Sequence, residues 1–136
     1  MIHEEICTYE VAKLAKEKGF NEPTDRYYHI YDDVIDAQNS LEMTGDGCAD
    51  FYNSLNQCRC AAPTQSLLQR WLREEKNIHI EIVATASGYF WISDKVNGTA
   101  ITDSDILDRG INEGGCWDEY KLALEDALKY SLENLV

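Results

Sequence analysis

Three of the five cysteines lie near one another in the sequence and could act as metal ligands. Cys48, Cys58 and Cys60 are separated by nine residues and then by one. Together with a histidine they would supply the thiolate and imidazole groups that bind zinc. Zinc fingers and ribbons use cysteine pairs with about two to four residues between the two cysteines, a spacing that this segment lacks. The spacing therefore favours reduced, partly buried thiols, with a metal site at these three cysteines as the alternative.

A cysteine nucleophile is a second kind of chemistry that the sequence raises. Cys60 precedes a predicted helix, and helix N-termini stabilise anions, so the pKa of its thiol could be lowered. The base would be His29 or His79, which lie on predicted strands and could face each other across a sheet. Two exposed strand histidines would give the same pattern, and no signature of a catalytic cysteine flanks Cys60. We therefore assign no catalytic residue and no cofactor from the sequence.

Two arginines are the candidate ligand-binding residues. Arg70 and Arg73 lie with Gln65 on the polar face of a predicted helix, where they could clamp a phosphate or a carboxylate. The next two residues, Glu74 and Glu75, weaken the positive field. This composition favours an ordinary polar helix face over a binding site.

The helix that carries these arginines is the clearest element of the sequence. Pro63 and Thr64 are typical of a helix start, and Asn77 is typical of a left-handed helix end. Apolar residues recur on one face between them: Leu67, Leu68, Trp71 and Leu72. From residue 78 to residue 85 apolar and polar residues alternate, which predicts a strand with one buried face.

The other elements follow from caps, turns and apolar patterns. Thr8 can cap a first helix that Gly19 ends. Residues 26–33 are rich in aromatic side chains and predict a strand. Residues 34–62 show a turn at 45–47, but their apolar residues recur at neither helical nor strand spacing. A turn at 87–88 starts a second strand, antiparallel to its neighbour because the connection is short, and Asn97-Gly98 indicates a hairpin. We predict one α+β domain, residues 1–136, in which a small, mostly antiparallel sheet packs against helices at about 8–18, 64–76 and 117–134.

The charge limits the class of partner. The formal net charge is −13, which argues against direct binding to nucleic acid, because phosphate binding needs a basic face. An acidic surface suits a basic protein partner or imitates nucleic acid. No apolar run has the length of a membrane span, and the N-terminus carries acids where a signal peptide carries basic residues. We therefore expect a cytoplasmic protein that does not bind membranes.

One long stretch and two short ones resemble a known group of proteins. Three parts of the chain are similar to small uncharacterised proteins of Bacteroides-type gut bacteria and their prophages or mobile elements. These parts are the stretch CAAPTQSLLQRWLREEKNIHIEI, the helix end KEKGF followed by Glu22-Pro23, and the helix YKLALE with Ala127-Leu128. The resemblance implies a compact α+β domain and a cytoplasmic setting. It implies no reaction, so no catalytic residue is carried over. Arg70 and Arg73 belong to this signature, although core packing does not explain why arginines stand at these two positions.

Three hypotheses about function follow. The preferred one is a non-enzymatic interaction protein of a mobile element or prophage, expected to be a homodimer because a short sheet has edges that can pair. The second is an acidic inhibitor that imitates nucleic acid and occupies a basic host or phage protein. The third is a small enzyme that uses a thiol or a metal near Cys58 and Cys60.

Overall fold

The chain contains both helices and antiparallel sheets. The computed structural model describes residues 1–29, 41–43, 51–55, 58–96, 108–110 and 116–136. They form three α-helices and two antiparallel sheets, so the predicted α+β class is confirmed, with two sheets where one was expected. The residues group into two compact units, Met1–Thr64 and Gln65–Val136. The single-domain organisation stays a prediction, and Cys48, the turn at 45–47 and the hairpin at 97–98 lie outside the described residues.

The first unit combines one helix with a three-stranded sheet. Its elements are α1 (Tyr9–Glu17), β1 (Arg26–His29), β2 (Leu41–Met43), a 3₁₀ turn (Asn53–Leu55) and β3 (Arg59–Ala61). The central strand β1 pairs with β2 on one side and with β3 on the other, antiparallel in both cases. The core of the unit consists of small and aromatic side chains: Cys7, Val11, Ala12, Ala15, Phe20, Phe51, Cys60, Ala61 and Ala62.

Helix α1 begins and ends where its sequence predicts. The Thr8 hydroxyl accepts a hydrogen bond from the Val11 amide at 3.4 Å, which satisfies one of the open N–H groups of the first turn. Gly19 follows the helix with φ of 98°, a left-handed value that favours glycine. The Phe20 amide then donates to the carbonyl of Ala15 at 2.9 Å, and the Phe20 side chain is buried.

The second unit contains two helices and a second three-stranded sheet. Its elements are α2 (Gln65–Lys76), β4 (Ile78–Thr85), β5 (Gly88–Lys95), β6 (Asp108–Gly110) and α3 (Tyr120–Asn134). The strand order is β4-β5-β6, antiparallel throughout. Asn77 joins α2 to β4 with φ of 57°, which is the left-handed helix end that the sequence predicts.

One face of this second sheet is covered by helix α3. The indole Nε1 of Trp91 donates to a carboxylate oxygen of Asp126 at 2.8 Å. The hydroxyls of Ser93 and Ser131, both fully buried, are 2.7 Å apart and hydrogen-bonded. Because each of these polar groups meets a partner, α3 can pack closely on β5 without leaving either hydroxyl unsatisfied. Helix α2 reaches β4 through Gln69, whose amide donates to the Ile80 carbonyl at 3.1 Å.

Candidate functional sites

The predicted cysteine cluster is only partly within the described residues. Cys58 is exposed, whereas Cys60 on strand β3 is fully buried. Cys48 lies outside the described residues. Among the residues that the structure describes, no group of three or more histidine, cysteine, aspartate or glutamate side chains is placed to hold a metal ion. The metal site at Cys48, Cys58 and Cys60 therefore stays a prediction.

The expected low pKa of Cys60 is wrong. Cys60 is a strand residue, and helix α2 begins at Gln65, so the sulfur does not stand at a helix N-terminus. Desolvation by burial raises the pKa of the Cys60 thiol to about 11, although the charges of Lys16 and Lys13 act in the opposite direction. The thiol is therefore protonated at neutral pH, and a protonated thiol is a poor nucleophile.

This difference between the two cysteines predicts selective alkylation. In the folded protein at pH 8 we expect iodoacetamide to modify Cys58 at least about a hundredfold faster than Cys60, since Cys60 is both buried and protonated. Peptide mass spectrometry over a time course measures both rates. In denaturant the two rates should converge, which serves as the control. Equal rates in the native protein would show that Cys60 is accessible as a thiolate.

The two strand histidines do not face each other across one sheet, so that expectation is wrong. His29 lies on β1 in the first sheet, and His79 lies on β4 in the second. Neither sheet contains the other histidine, because each sheet is built from strands of its own unit. Cys60 and His29 do share the first sheet, but His29 is paired with Arg59 and Cys60 with Tyr28, so the two side chains lie on opposite faces.

The arginine candidates are on the surface of helix α2. The Nε of Arg70 lies 3.0 Å from a carboxylate oxygen of Glu74, one helical turn away, with the two side chains 66% and 53% exposed. An exposed pair of this kind contributes only about 0.3–0.5 kcal/mol. Arg73 is also exposed. The arrangement is that of a polar helix face, and whether the two arginines bind a ligand stays a prediction.

Gln65 differs from its predicted place on that polar face. It is buried, and its side-chain amide donates to the Lys121 carbonyl at 3.0 Å and to a carboxylate oxygen of Glu125 at 2.8 Å. Gln65 therefore ties the start of α2 to the first turns of α3. Helical spacing alone placed it with the arginines, because the pattern cannot show that α3 packs against this position.

An exposed apolar turn is the feature that the sequence did not reveal. Tyr52 and Leu55 stand at the 3₁₀ turn of the first unit, with 37% and 65% of their surface exposed. The turn lies within residues 34–62, where no hydrophobic period predicts an element. Single exposed apolar residues are common, but these two flank a turn whose backbone is held in place by buried contacts.

The buried side chain of Asn53 fixes this turn. Its amide nitrogen donates to the Phe20 carbonyl at 2.7 Å, and its amide oxygen accepts from the Ala61 N–H at 2.8 Å. The Ser54 amide donates to the side-chain oxygen of Asn21 at 2.9 Å. One asparagine thus links the segment after α1, the turn and strand β3. Tyr52 and Leu55 are consequently presented from a rigid base.

Comparison with known proteins adds nothing to this geometry. No protein-family model, no curated protein and no solved structure matches the chain. Within the described segments, no helix has the length and apolar character needed to cross a bilayer.

Proposed function

We propose that this chain is a non-enzymatic interaction protein that binds a basic protein partner through Tyr52 and Leu55. The observation that carries the proposal is the exposure of these two side chains on a turn fixed by the buried Asn53. The setting that we propose, the cytoplasm of a Bacteroides-type bacterium carrying a prophage or mobile element, rests on the sequence resemblance alone.

Energetic reasoning favours a protein contact at this turn. Full burial of a leucine side chain stabilises a complex by about 1.5–3 kcal/mol, and tyrosine is enriched among residues that dominate interface energy. A rigid turn loses little conformational entropy when a partner covers it. Two such anchors cannot hold a complex alone, so we expect flanking polar contacts to contribute.

The charge of the chain favours a basic partner over a second copy. Two copies that each carry a formal charge of −13 repel each other, whereas a basic surface is attracted and steered. The homodimer expected from the sequence stays a prediction. The raised pKa and burial of Cys60 give the thiol-enzyme hypothesis no support at that sulfur.

The test is a pull-down with charge-introducing variants. We expect Leu55→Asp to abolish capture of the partner, because a carboxylate would be desolvated at the contact, while stability is unchanged at this exposed site. Val96→Asp is the matched control, since Val96 is also exposed, at 58%, but lies in the other unit. Mass spectrometry identifies the partner, and elution at high salt measures the charge contribution. Capture that is equal in wild type and Leu55→Asp would contradict the proposal.

A further inference from the structure

Strand β4 forms one edge of the sheet in the second unit. It pairs with β5 on one side only, since the strand order is β4-β5-β6. The N–H of Val96 donates to the Asn77 carbonyl just before the strand, and in an antiparallel ladder every second residue from there bonds to the neighbouring strand. The N–H and C=O groups of Ile80, Ile82 and Ala84 therefore point away from β5.

Helix α2 satisfies only the first of these three residues. The side-chain amide of Gln69 donates to the Ile80 carbonyl at 3.1 Å, which agrees with the outward direction of that group. Among the residues that the structure describes, no hydrogen bond reaches the outward groups of Ile82 or Ala84. Ala84 is exposed and Ile82 is half-buried, and β4 contains neither the lysine nor the proline that often protects an edge. Such a row of unpaired backbone groups is a template for another strand.

The side chains beside this open edge determine which strand fits it. Glu81 and Val83 lie on the sheet face away from α3, because α3 packs on the alternate residues of the two strands. Asp94 on β5 shares their face, diagonal to Glu81 and directly opposite His79. Neither carboxylate forms an ion pair with any described residue, His79 included. The edge thus presents two negative charges next to an apolar side chain.

We propose that the open edge of β4 binds an extended segment of a basic protein partner as an added antiparallel strand. The basic nature of that partner rests on the proposed function. The segment forms about four backbone hydrogen bonds with Ile82 and Ala84. Its residue opposite Glu81 is lysine or arginine, and its residue opposite Val83, two positions earlier in the segment, is apolar. The partner motif therefore reads apolar-x-basic.

A second copy of the chain fits this edge less well than a basic segment. In the symmetric antiparallel register that pairs Ile82 with Ala84 of the other copy, Glu81 stands opposite Thr85. No basic side chain then meets Glu81, and two chains that each carry a charge of −13 repel each other. A basic segment instead neutralises both carboxylates on this face, and opposite charges across neighbouring strands stabilise their pairing.

The test is an NMR titration of the folded chain with short peptides. The probe is the acetylated peptide Thr-Thr-Val-Thr-Lys-Thr, which should shift the amide resonances of Ile82 and Ala84 at millimolar concentration and slow their hydrogen exchange. A peptide with glutamate in place of lysine should bind about fivefold more weakly. The lysine peptide N-methylated at the two residues that face Ile82 and Ala84 should not bind, because it has lost the donors of the ladder.

Variants of the chain test the charge and the backbone contact separately. Glu81→Lys should reverse the preference, so that the glutamate peptide binds better, whereas the control Glu75→Lys changes an exposed carboxylate on α2 and should keep it. Ala84→Pro removes an outward N–H without removing a bond to β5, so it should weaken the lysine peptide by at least about fivefold. Ala84→Thr keeps that N–H and should bind like wild type.

Three results would overturn the proposal: no shift at Ile82 and Ala84, equal binding of the lysine and glutamate peptides, or unchanged binding to Ala84→Pro. A homodimer in sedimentation that Ala84→Pro dissociates would also overturn it, since a second copy would then occupy the edge. The peptides do not use the Tyr52 and Leu55 contact. Failure of the titration therefore leaves the pull-down result standing, and failure of the pull-down leaves the titration standing.

Discussion

Replacing Asn53 by alanine should lower the free energy of unfolding by about 3 kcal/mol, because two buried backbone groups lose their partners at once. The carbonyl of Phe20 loses its donor and the N–H of Ala61 loses its acceptor. Both residues are almost fully buried, so water cannot replace the missing amide. An orphaned buried group costs about 1–3 kcal/mol, and the two costs add when no relaxation is available.

Asn21→Ala is the matched control for this prediction. Asn21 also uses its amide oxygen to accept from the turn, at the Ser54 N–H, but both residues are exposed to solvent. Water can satisfy the Ser54 amide after the change, so we expect a loss below about 1 kcal/mol. Urea unfolding of the two variants measures the difference. A loss for Asn53→Ala that does not exceed the loss for Asn21→Ala would show that the turn is not held by the buried amide.

The Asn53→Ala substitution also connects the stability of the turn to the proposed function. Asn53→Ala leaves the contacting side chains of Tyr52 and Leu55 intact but frees the backbone that presents them. We therefore expect the partner to bind more weakly because ordering of the turn must now accompany binding. This loss of affinity has a different cause from that of Leu55→Asp, because Leu55→Asp alters the contact surface itself.

The parts of the fold that depend on local pattern could be predicted from the sequence. Helix α2 has a proline and a threonine at its start, an apolar face and Asn77 at its end, all within one continuous segment. Helix α1 likewise has a capping threonine at one end and a glycine at the other. In both cases the residues that determine the element are neighbours in the sequence, so their spacing suffices.

The parts that depend on distant residues could not be predicted. The turn at residues 53–55 is fixed by two hydrogen bonds of Asn53, which donates to the carbonyl of Phe20, 33 residues away, and accepts from the N–H of Ala61, 8 residues away. Neither contact leaves a periodic trace in the sequence. The high pKa of Cys60 has the same origin, because burial by the packed unit is invisible in a spacing of cysteines. Residue types indicate candidate chemistry, but only the fold determines the environment that allows or prevents it.

Replacing Gly88 by alanine should have a comparably large effect in the second unit. Gly88 has φ of 131°, which side-chain-bearing residues rarely adopt, and a Cβ atom there would lie 2.4 Å from the Trp117 carbonyl oxygen. That oxygen belongs to the backbone and cannot rotate away. The Tyr89 amide donates to it at 2.8 Å, and the Trp117 amide donates back to the Tyr89 carbonyl at 2.7 Å. Relief of the clash must therefore disturb both hydrogen bonds.

We expect Gly88→Ala to lower the free energy of unfolding by about 3–4 kcal/mol, as the sum of backbone strain and weakened hydrogen bonds. Gly19→Ala is the matched control, because Gly19 also has a positive φ, of 98°, but a Cβ atom added there would have no other atom within 4 Å. It should cost only the strain, about 1 kcal/mol. Hydrogen exchange locates the damage: the amides of Tyr89 and Trp117 should exchange faster in Gly88→Ala and at the wild-type rate in Gly19→Ala. Equal losses of stability in the two variants would mean that the backbone angle alone, and not the close approach of Trp117, requires glycine at position 88.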